Sequence, residues 1–488
     1  MTTTPASRLP ILDDQAGRAG APTARTDPAS LRWKPSRYNV FRERIGFVWA
    51  FNSRSAAFAR LSTEEYRTAQ RMLAGDLETT SPAERDLLRS LIKGQFLIRE
   101  EFDELDFLKV KNRLTRFAAK GLGLIIAPTL RCNFGCEYCY VDLNANKMSV
   151  TNRARLMRFF ERKLQPRSRA TVCWTGGDPS LAMDVVGELS RRFLEVCGER
   201  DSRYDSYMIT NGYLLDDEML DRVLDAGIGG LQITFDGDRE HHNGRRFLAN
   251  GAPTYDRILD NLERACRRID VNIRVNVDRN NHETLHNLLA DLAARDLGRR
   301  ASIYFAQVEA VNDNCSSYHD RCLSTREYAA LEPVLMRQAL AHGLQLNGSG
   351  LTRLHGSFCG ANSQNFYVVD SNCQLLKCYN DFGTADRNGI GSIGEDGAEV
   401  IDKHHNLIKW LSWDPFESAE CRDCKVLPLC MGGCSYHIMS HDMEVEGGCL
   451  KLRYTIDEVL DLYGERLSQI EPGELAAGGC TTGGCAKL

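Results

Sequence analysis

Three cysteines share one short loop, Cys132-Asn133-Phe134-Gly135-Cys136-Glu137-Tyr138-Cys139, at the end of the apolar run Leu122 to Leu130. Thiolates at C-x3-C-x2-C spacing can each take one iron of a cubane [4Fe-4S] cluster, which leaves the fourth iron without a protein ligand. An open iron points to chemistry at the cluster as well as electron storage. Structural zinc is the alternative, but zinc takes four ligands and no second pair follows before Cys173.

A second cysteine field begins at Cys359. It holds Cys373, Cys378, the run Cys421-x2-Cys424-x5-Cys430-x3-Cys434, and Cys449. Eight thiols match the demand of two four-coordinate clusters. Two patterns compete with that assignment. Cys421, Cys424, His437 and His441 have the spacing of a zinc finger, but Pro428 and Gly432-Gly433 would spoil the helix that must carry the histidines. Gly389-x-Gly391-x-x-Gly394 has the form of a dinucleotide fingerprint, yet Glu395 and Asp396 follow where a phosphate would sit. Of the other seven cysteines, Cys173, Cys197 and Cys266 fall in apolar strand or helix patterns and are expected in the core. Cys315 and Cys322 flank an irregular insert expected to border the site, and Cys480 and Cys485 lie in a Gly-rich tail.

The elements that must hold these loops alternate. Strands are expected at Leu122 to Leu130, Ala170 to Trp174, Asp205 to Thr210, Leu231 to Phe235, Val271 to Val277 and Ala301 to Val308, each followed by a helical pattern. Six βα units in series predict an α/β fold, an open, partial (β/α)6 TIM-like barrel with its chemistry on the loops after the strands. The cysteine loop follows the first strand. Thr175-Gly176-Gly177-Asp178-Pro179 follows the second, where paired glycines let main chain approach a bound molecule. Thr210-Asn211-Gly212 ends the third and Thr234-Phe235-Asp236-Gly237 the fourth, each of which is also an ordinary turn sequence.

Outside the barrel, residues 1–36 read as a disordered tail. Residues 37–115 form a small module with strands near Tyr38 to Phe41 and Ile45 to Phe51, a helix capped by Ser62, another starting near Ser81, and a strand at Phe96 to Ile98. The barrel is expected over 116–345, the cysteine-rich domain over 346–470 and a flexible Gly/Cys tail over 471–488. With 488 residues and 43% hydrophobic content, large cores can be buried. A net charge of −5 gives no basic field for nucleic acid. No apolar run approaches a membrane span and no export segment stands at the N-terminus, so a cytoplasmic protein is expected.

The three-cysteine loop, with an aromatic residue before its last cysteine, resembles the signature of the radical S-adenosylmethionine (SAM) superfamily. Gly176, Gly177, Asp178 and Pro179 resemble that family's Gly-Gly-Glu-Pro motif, which holds the amino group of SAM, with Asp178 where glutamate is usual. Thr210, Asn211, Thr234, Asp236 and Arg246 resemble its further SAM-side segments, although Thr234 replaces Ser and Asn243 replaces Asp. The trailing cysteines resemble a SPASM domain, including its Cys-x-Gly-Gly-Cys ending at Cys430 to Cys434.

That resemblance implies one SAM-binding cluster and two auxiliary [4Fe-4S] clusters. Cys359, Cys378 and Cys434 would hold auxiliary cluster I, and Cys421, Cys424, Cys430 and Cys449 auxiliary cluster II. Cys373 stands where the family has glycine; it completes cluster I or leaves that cluster an open iron. The implied chemistry is reductive cleavage of SAM to a 5′-deoxyadenosyl radical that takes hydrogen from a substrate. The expected function is maturation of a ribosomally made precursor peptide by a thioether or carbon-carbon crosslink, with flavodoxin or ferredoxin as reductant. Residues 37–115 resemble winged-helix leader-recognition modules, with packing extension as the competing reading. An anaerobic sulfatase maturase is the first competitor; there an Asp base follows the cysteine at the position of Cys378, where this chain has Tyr379, with Asp381 further on. The second is an iron-sulfur protein that never cleaves SAM. Tyr379 and Asp381 are the candidate bases.

Overall fold

The computed structural model describes residues 31–118, 120–143, 147–347, 356–440 and 448–469. His441 and the cysteines of the Gly-rich tail lie outside them. Six parallel strands follow one another in space as in sequence: β6 (Leu122–Ile126), β7 (Arg169–Trp174), β8 (Arg203–Thr210), β9 (Gly230–Phe235), β10 (Asp270–Val277) and β11 (Ala301–Gln307). Between them run α4 (Val150–Lys163), α5 (Met183–Glu199), α6 (Asp217–Asp225), α7 (Arg239–Arg245), α8 (Tyr255–Ala265) and α9 (Leu285–Ala294), with α10 (Thr325–Ala341) after β11. The α/β partial barrel is therefore as expected.

Alternation along each strand divides its side chains between two cores. Leu124, Val172, Met208, Ile233, Ile273 and Phe305 point outward into the helix layer, which closes over Phe160, Phe193 and Leu259. The opposite face lines the interior. There Ile125, Cys173, Tyr207 and Ile209 meet Val368 and Leu376. Cys173 is thus an interior wall residue flanked by outward-facing Val172 and Trp174.

The sheet does not end with the six strands. β12 (Gln345–Leu346) adds parallel to β11, and β13 (Phe366–Val369) adds parallel to β6 before β14 (Gln374–Leu376), β15 (Gly391–Ile393) and β16 (Glu399–Ile401) continue it antiparallel. The cysteine-rich region so grows directly from the barrel's first strand. Gly391 lies in a strand of this antiparallel extension, not in a βαβ turn, which removes the dinucleotide pattern.

The N-terminal module has β1 (Trp33–Pro35) paired with β5 (Leu97–Arg99), and a three-stranded sheet of β2 (Asn39–Arg44), β3 (Phe47–Asn52) and β4 (Ala57–Ser62). Ser62 and Glu65 form a reciprocal capping box on α1 (Thr63–Leu73), Ser81 caps α2 (Pro82–Lys93), and α3 (Glu104–Arg116) leads on to the barrel. Both sheet faces are occupied. Ala50 and Leu61 pack with Met72 and Leu91 of the two helices, while Val40, Trp49 and Phe58 pack with Val459 and Leu460 of the helix Leu452–Gln469. Arg42 and Arg44 pair with Asp461 on that helix at 3.4 and 3.2 Å. A partner strand could therefore join only at an edge, β2 or β4.

Candidate functional site

The cysteine loop sits above the C-terminal end of β6 and is tied to the chain after α7. Gly135 N–H donates to Phe247 O, Ala249 N–H donates to Asn133 O, and Phe134 bridges Leu248. Cys132, Cys136 and Cys139 are half-buried. Burial pushes Cys132 and Cys136 up to about 12, and raises Cys139 as well. Such thiols keep their protons until a metal cation replaces them. Among the described residues no three His, Cys, Asp or Glu side chains close on a single ion. A cubane asks for something looser, because each thiolate meets a different iron.

The glycine pair serves this loop from below. A Cβ on Gly177 would lie 2.1 Å from Arg131 O, and one on Gly176, whose φ is +118°, would lie 2.5 Å from Thr129 O. Without side chains the segment runs along the base of the loop, with Gly177 N–H donating to Thr129 O and Asp178 N–H to Arg131 O. The close approach expected toward a ligand is thus made in part to the protein's own backbone. Gly177→Ala should displace the cysteine loop, so the reconstituted variant should lose roughly four irons, one cluster's worth, while keeping the rest. An unchanged iron count would show that the loop tolerates the shift.

Asp178 is fully buried and closed in. Its carboxylate accepts from Ser180 N–H, from Thr210 Oγ1 at 3.0 Å, and from Asn211 N–H at 2.7 Å. Burial raises its pKa while those donors pull it down. Asp178 therefore fixes the second βα loop to the third, and Thr210 spends its hydroxyl on the same joint. Asn211 carries on from there, donating to Asn133 Oδ1 at 2.7 Å and lying 3.8 Å from Cys132 Sγ.

Asp236 anchors the other side. It accepts from Arg245 Nε at 2.9 Å and Asn276 Nδ2 at 3.2 Å, with Arg246 at 3.9 Å. Burial would raise its pKa, but Arg245 and Arg246 outweigh that and hold it below the usual value. Arg245 also pairs with Asp278 at 2.6 Å, to which Tyr318 donates. Arg246 Nη1 donates to the hydroxyl of Tyr138, the aromatic residue of the cysteine loop, at 2.8 Å. Its Nε is buried without a partner, as is Arg245 Nη2. Buried, unspent donors beside Cys136 suit an anionic group at the loop. His242, also buried here, is pushed down to about 3 by burial and Arg246.

The insert after β11 roofs the site. Arg321 pairs with Glu137 at 2.7 Å, and Asn312 Nδ2 donates to both Tyr140 O and Asn380 O. It thereby staples the cysteine loop to the segment after Cys378. Cys315 is buried inside this roof and Cys322 is half-buried at its end.

The second field divides in two. Cys421, Cys424, Cys430 and Cys449 line one small cavity, and Arg453 donates to Cys449 Sγ at 3.2 Å. Cys359, Cys378 and Cys434 form another group: burial raises Cys378 far above its usual value, and Asp381, Cys434 and Cys359 add to that. Cys430 and Cys434 serve different groups because Met431, Gly432 and Gly433 all have positive φ and reverse the chain between them. Cys373 joins neither group. It too has positive φ, at +60°, which explains a position where the related pattern has glycine, and its Sγ packs on α4 at 3.2 Å from Asn152 O. His437 pairs with Glu309 at 3.1 Å, away from the Cys421 cavity, so the zinc-finger spacing has no counterpart among the described residues.

Of the candidate bases, Asp381 is buried, accepts from Asn388 Nδ2 at 2.9 Å, and is raised by burial to about 7. Tyr379 is half-buried, its ring 5.9 Å from Tyr140. Arg245, Asn276, Asp278 and Tyr318 were not expected here. The signal for Asn276 was in the sequence: polar Asn272, Arg274 and Asn276 alternate with Val271, Ile273 and Val275 along β10.

A model of the Radical SAM superfamily matches residues 126–292. A cysteine-type anaerobic sulfatase-maturating enzyme of Clostridium novyi (strain NT) is 21% identical over 342 residues, covering 64% of this chain and 88% of that protein. One of the same description from Clostridium perfringens (strain ATCC 13124) is 23% identical over 349 residues, with the same coverage of 64% and 88%. The solved structure described as native anSMEcpe with bound AdoMet and Cp18Cys peptide matches with a TM-score of 0.54 at 20% identity, covering 71% of this chain and 98% of that one. The fold is shared with that structure, and by the match over residues 126–292 the chain carries a radical SAM domain and is an enzyme.

Proposed function

We propose that the chain is a peptide maturase that uses a [4Fe-4S] cluster and SAM to oxidise a ribosomally made precursor, installing a thioether or carbon-carbon crosslink. One observation carries this: the cysteine loop and the Cys359, Cys378, Cys434 group are stapled together by Asn312 at one mouth of the barrel. A peptide entering there would meet both. Bound there, the cluster and SAM would supply one-electron chemistry able to take a hydrogen atom from the substrate.

Cys132, Cys136 and Cys139 would hold the SAM-binding cluster. Gly176, Gly177, Pro179, Asn211 and Thr234 would face SAM, positioned by Asp178, Thr210 and Asp236. Arg246 would offset the negative charge gathered at the loop. Cys421, Cys424, Cys430 and Cys449 would hold a closed auxiliary cluster, and Cys359, Cys378 and Cys434 one with an open iron. The roof around Tyr318 excludes water, and Asp381 accepts a proton from the substrate. Edge strands β2 and β4 of residues 37–115 are where a leader segment would add, and flavodoxin or ferredoxin in the cytoplasm would reduce the clusters.

Formylglycine formation is the second reading, favoured by the description of the clostridial relatives. Against it stands Tyr379 at the position after Cys378. The test is to incubate the reconstituted protein with SAM, dithionite and either a sulfatase-derived cysteine peptide or candidate precursor peptides. Mass spectrometry then separates loss of the thiol from loss of two hydrogens with sulfur retained. SAM consumed with no change in any peptide would sink both readings.

Asp381 gives a pH test. Its ordinary value is 3.8 and burial raises it to about 7, so over that window the folded chain holds a proton that the unfolded chain has released. Stability therefore falls as pH rises from about 4 to about 7, and Asp381→Asn should remove that slope. Turnover should climb through about 7 as the base becomes available, and the variant should lose that limb. A variant with the wild-type pH profile would remove Asp381 from the proton path.

A further inference from the structure

Arg274 lies on the interior face of β10, in register between Thr234 on β9 and Tyr304 on β11. Its Nε donates to Asn276 Oδ1 at 2.7 Å, and its guanidinium lies 6.0 Å from the centre of the Tyr304 ring. Tyr379 and Tyr140 approach it from the side of the cysteine loops. The residue is half-buried. No carboxylate pairs with it among the described residues. Asp205, at the lower mouth, is taken by Arg169 at 2.6 Å and Arg203 at 3.0 Å. Arg245 and Arg246, by contrast, have Asp236 and Asp278. The Tyr328 hydroxyl is buried without a hydrogen-bond partner among the described residues, and lies within the electrostatic reach of Glu332 first, then of Arg274 and Tyr304.

A guanidinium held in a low-dielectric wall without a counter-ion is costly, and its forked N–H edge matches a carboxylate. We infer that Arg274 is the carboxylate-binding residue of the barrel interior, taking a carboxylate brought in by a bound molecule. Two carriers share that chemistry: the amino-acid end of SAM, and an acidic residue of the peptide. The choice of carriers rests on the function proposed above; the anion site itself does not need radical chemistry. With Nε fixed on Asn276 and the Tyr304 side chain also hydrogen-bonded to the guanidinium, the N–H groups that are left can take one planar anion. An acidic residue clamped there would set which neighbouring carbon is offered to the site.

The test is arginine labelling of the cluster-loaded protein by phenylglyoxal under anaerobic conditions, quantified on the Arg274 peptide by mass spectrometry, with Arg245 and Arg246 as paired, buried controls. Four probes are compared: SAM, decarboxylated SAM, acetyl-Gly-Glu-Gly-amide and acetyl-Gly-Gln-Gly-amide. Arg274 should label faster than the controls. Protection by SAM and not by its decarboxylated twin assigns the site to the cofactor. Protection by the Glu peptide and not the Gln peptide assigns it to the substrate. In either case Arg274→Gln should weaken the carboxylate probe by at least about tenfold in equilibrium dialysis, the loss of a charge-assisted pair, and leave its neutral twin unchanged. Arg274→Lys should restore part of the difference. Failure of Arg274 to label, or equal effects of the charged and neutral members of both pairs, overturns the inference. SAM cleavage measured on the same preparation reports on the radical chemistry separately: protection without cleavage would remove the proposed function and leave the anion site.

Discussion

With Cys132, Cys136 and Cys139 all replaced by alanine, the reconstituted protein should carry roughly four fewer irons than the wild type, about eight in place of about twelve. It should yield no 5′-deoxyadenosine from SAM and dithionite. The loop is held by its own supports, the backbone ties to Phe247 and Ala249 and the glycine segment beneath, none of which uses a thiol. Removing three half-buried sulfurs therefore leaves the fold and the other two cysteine groups in place. Cys421, Cys424, Cys430 and Cys449 share a cavity on the far side of the Cys430 to Cys434 reversal, so their iron should survive. The contrast is what makes the result informative. Loss of all iron would mean that the clusters assemble together, and the substitution would then say nothing about which one cleaves SAM. Zinc in the wild type would end the radical reading, and cleavage persisting in the variant would take the reaction away from this loop.

How far the sequence alone could reach depended on the range of the forces involved. The βα alternation is a local pattern, and the six strands stand within a few residues of where the apolar runs place them. The caps at Ser62 and Ser81 are local too. Long-range choices were not legible. Nothing in Phe366–Val369 says that it will pair with Leu122–Ile126, and β4 was hidden because Ala57 and Ala59 carry no strand signal of their own. At the site, a motif reveals residue types but not which way they face. Asp178 sits in a segment that resembles a ligand-binding motif, yet spends its oxygens on Ser180, Thr210 and Asn211. Cys373 sits among the candidate ligand cysteines and packs against α4, in a left-handed turn at that position. Arg274 was readable in principle, since strict alternation along β10 sends it inward, but only the paired strands show that its neighbours in register, Thr234 and Tyr304, are not acids.

Asp236→Ala should be the most destabilising single change at the site, by about 3–5 kcal/mol in chemical denaturation, because it leaves a buried guanidinium without its carboxylate. Arg245 would keep Asp278, but Arg246 has no other acid among the described residues, where its remaining side-chain partner is the Tyr138 hydroxyl. The effect should also reach the chemistry: with Asp236 gone, Arg246 is free to turn, Tyr138 loses its fixed donor, and the cysteine loop loses a support between Cys136 and Cys139. SAM affinity should fall together with stability. Asp236→Asn separates the two consequences. It keeps an acceptor for Arg245 Nε while removing the charge, so it should cost less stability than alanine. The carboxylate is held below its usual value in the fold, so its contribution is present above the ordinary carboxylate range and lost only as pH falls through the lowered folded value. The difference in stability between wild type and the Asn variant should accordingly be constant near neutral pH and shrink in acid. A difference that grows in acid would mean that Asp236 is protonated in the fold, and that Arg246 answers to some other anion.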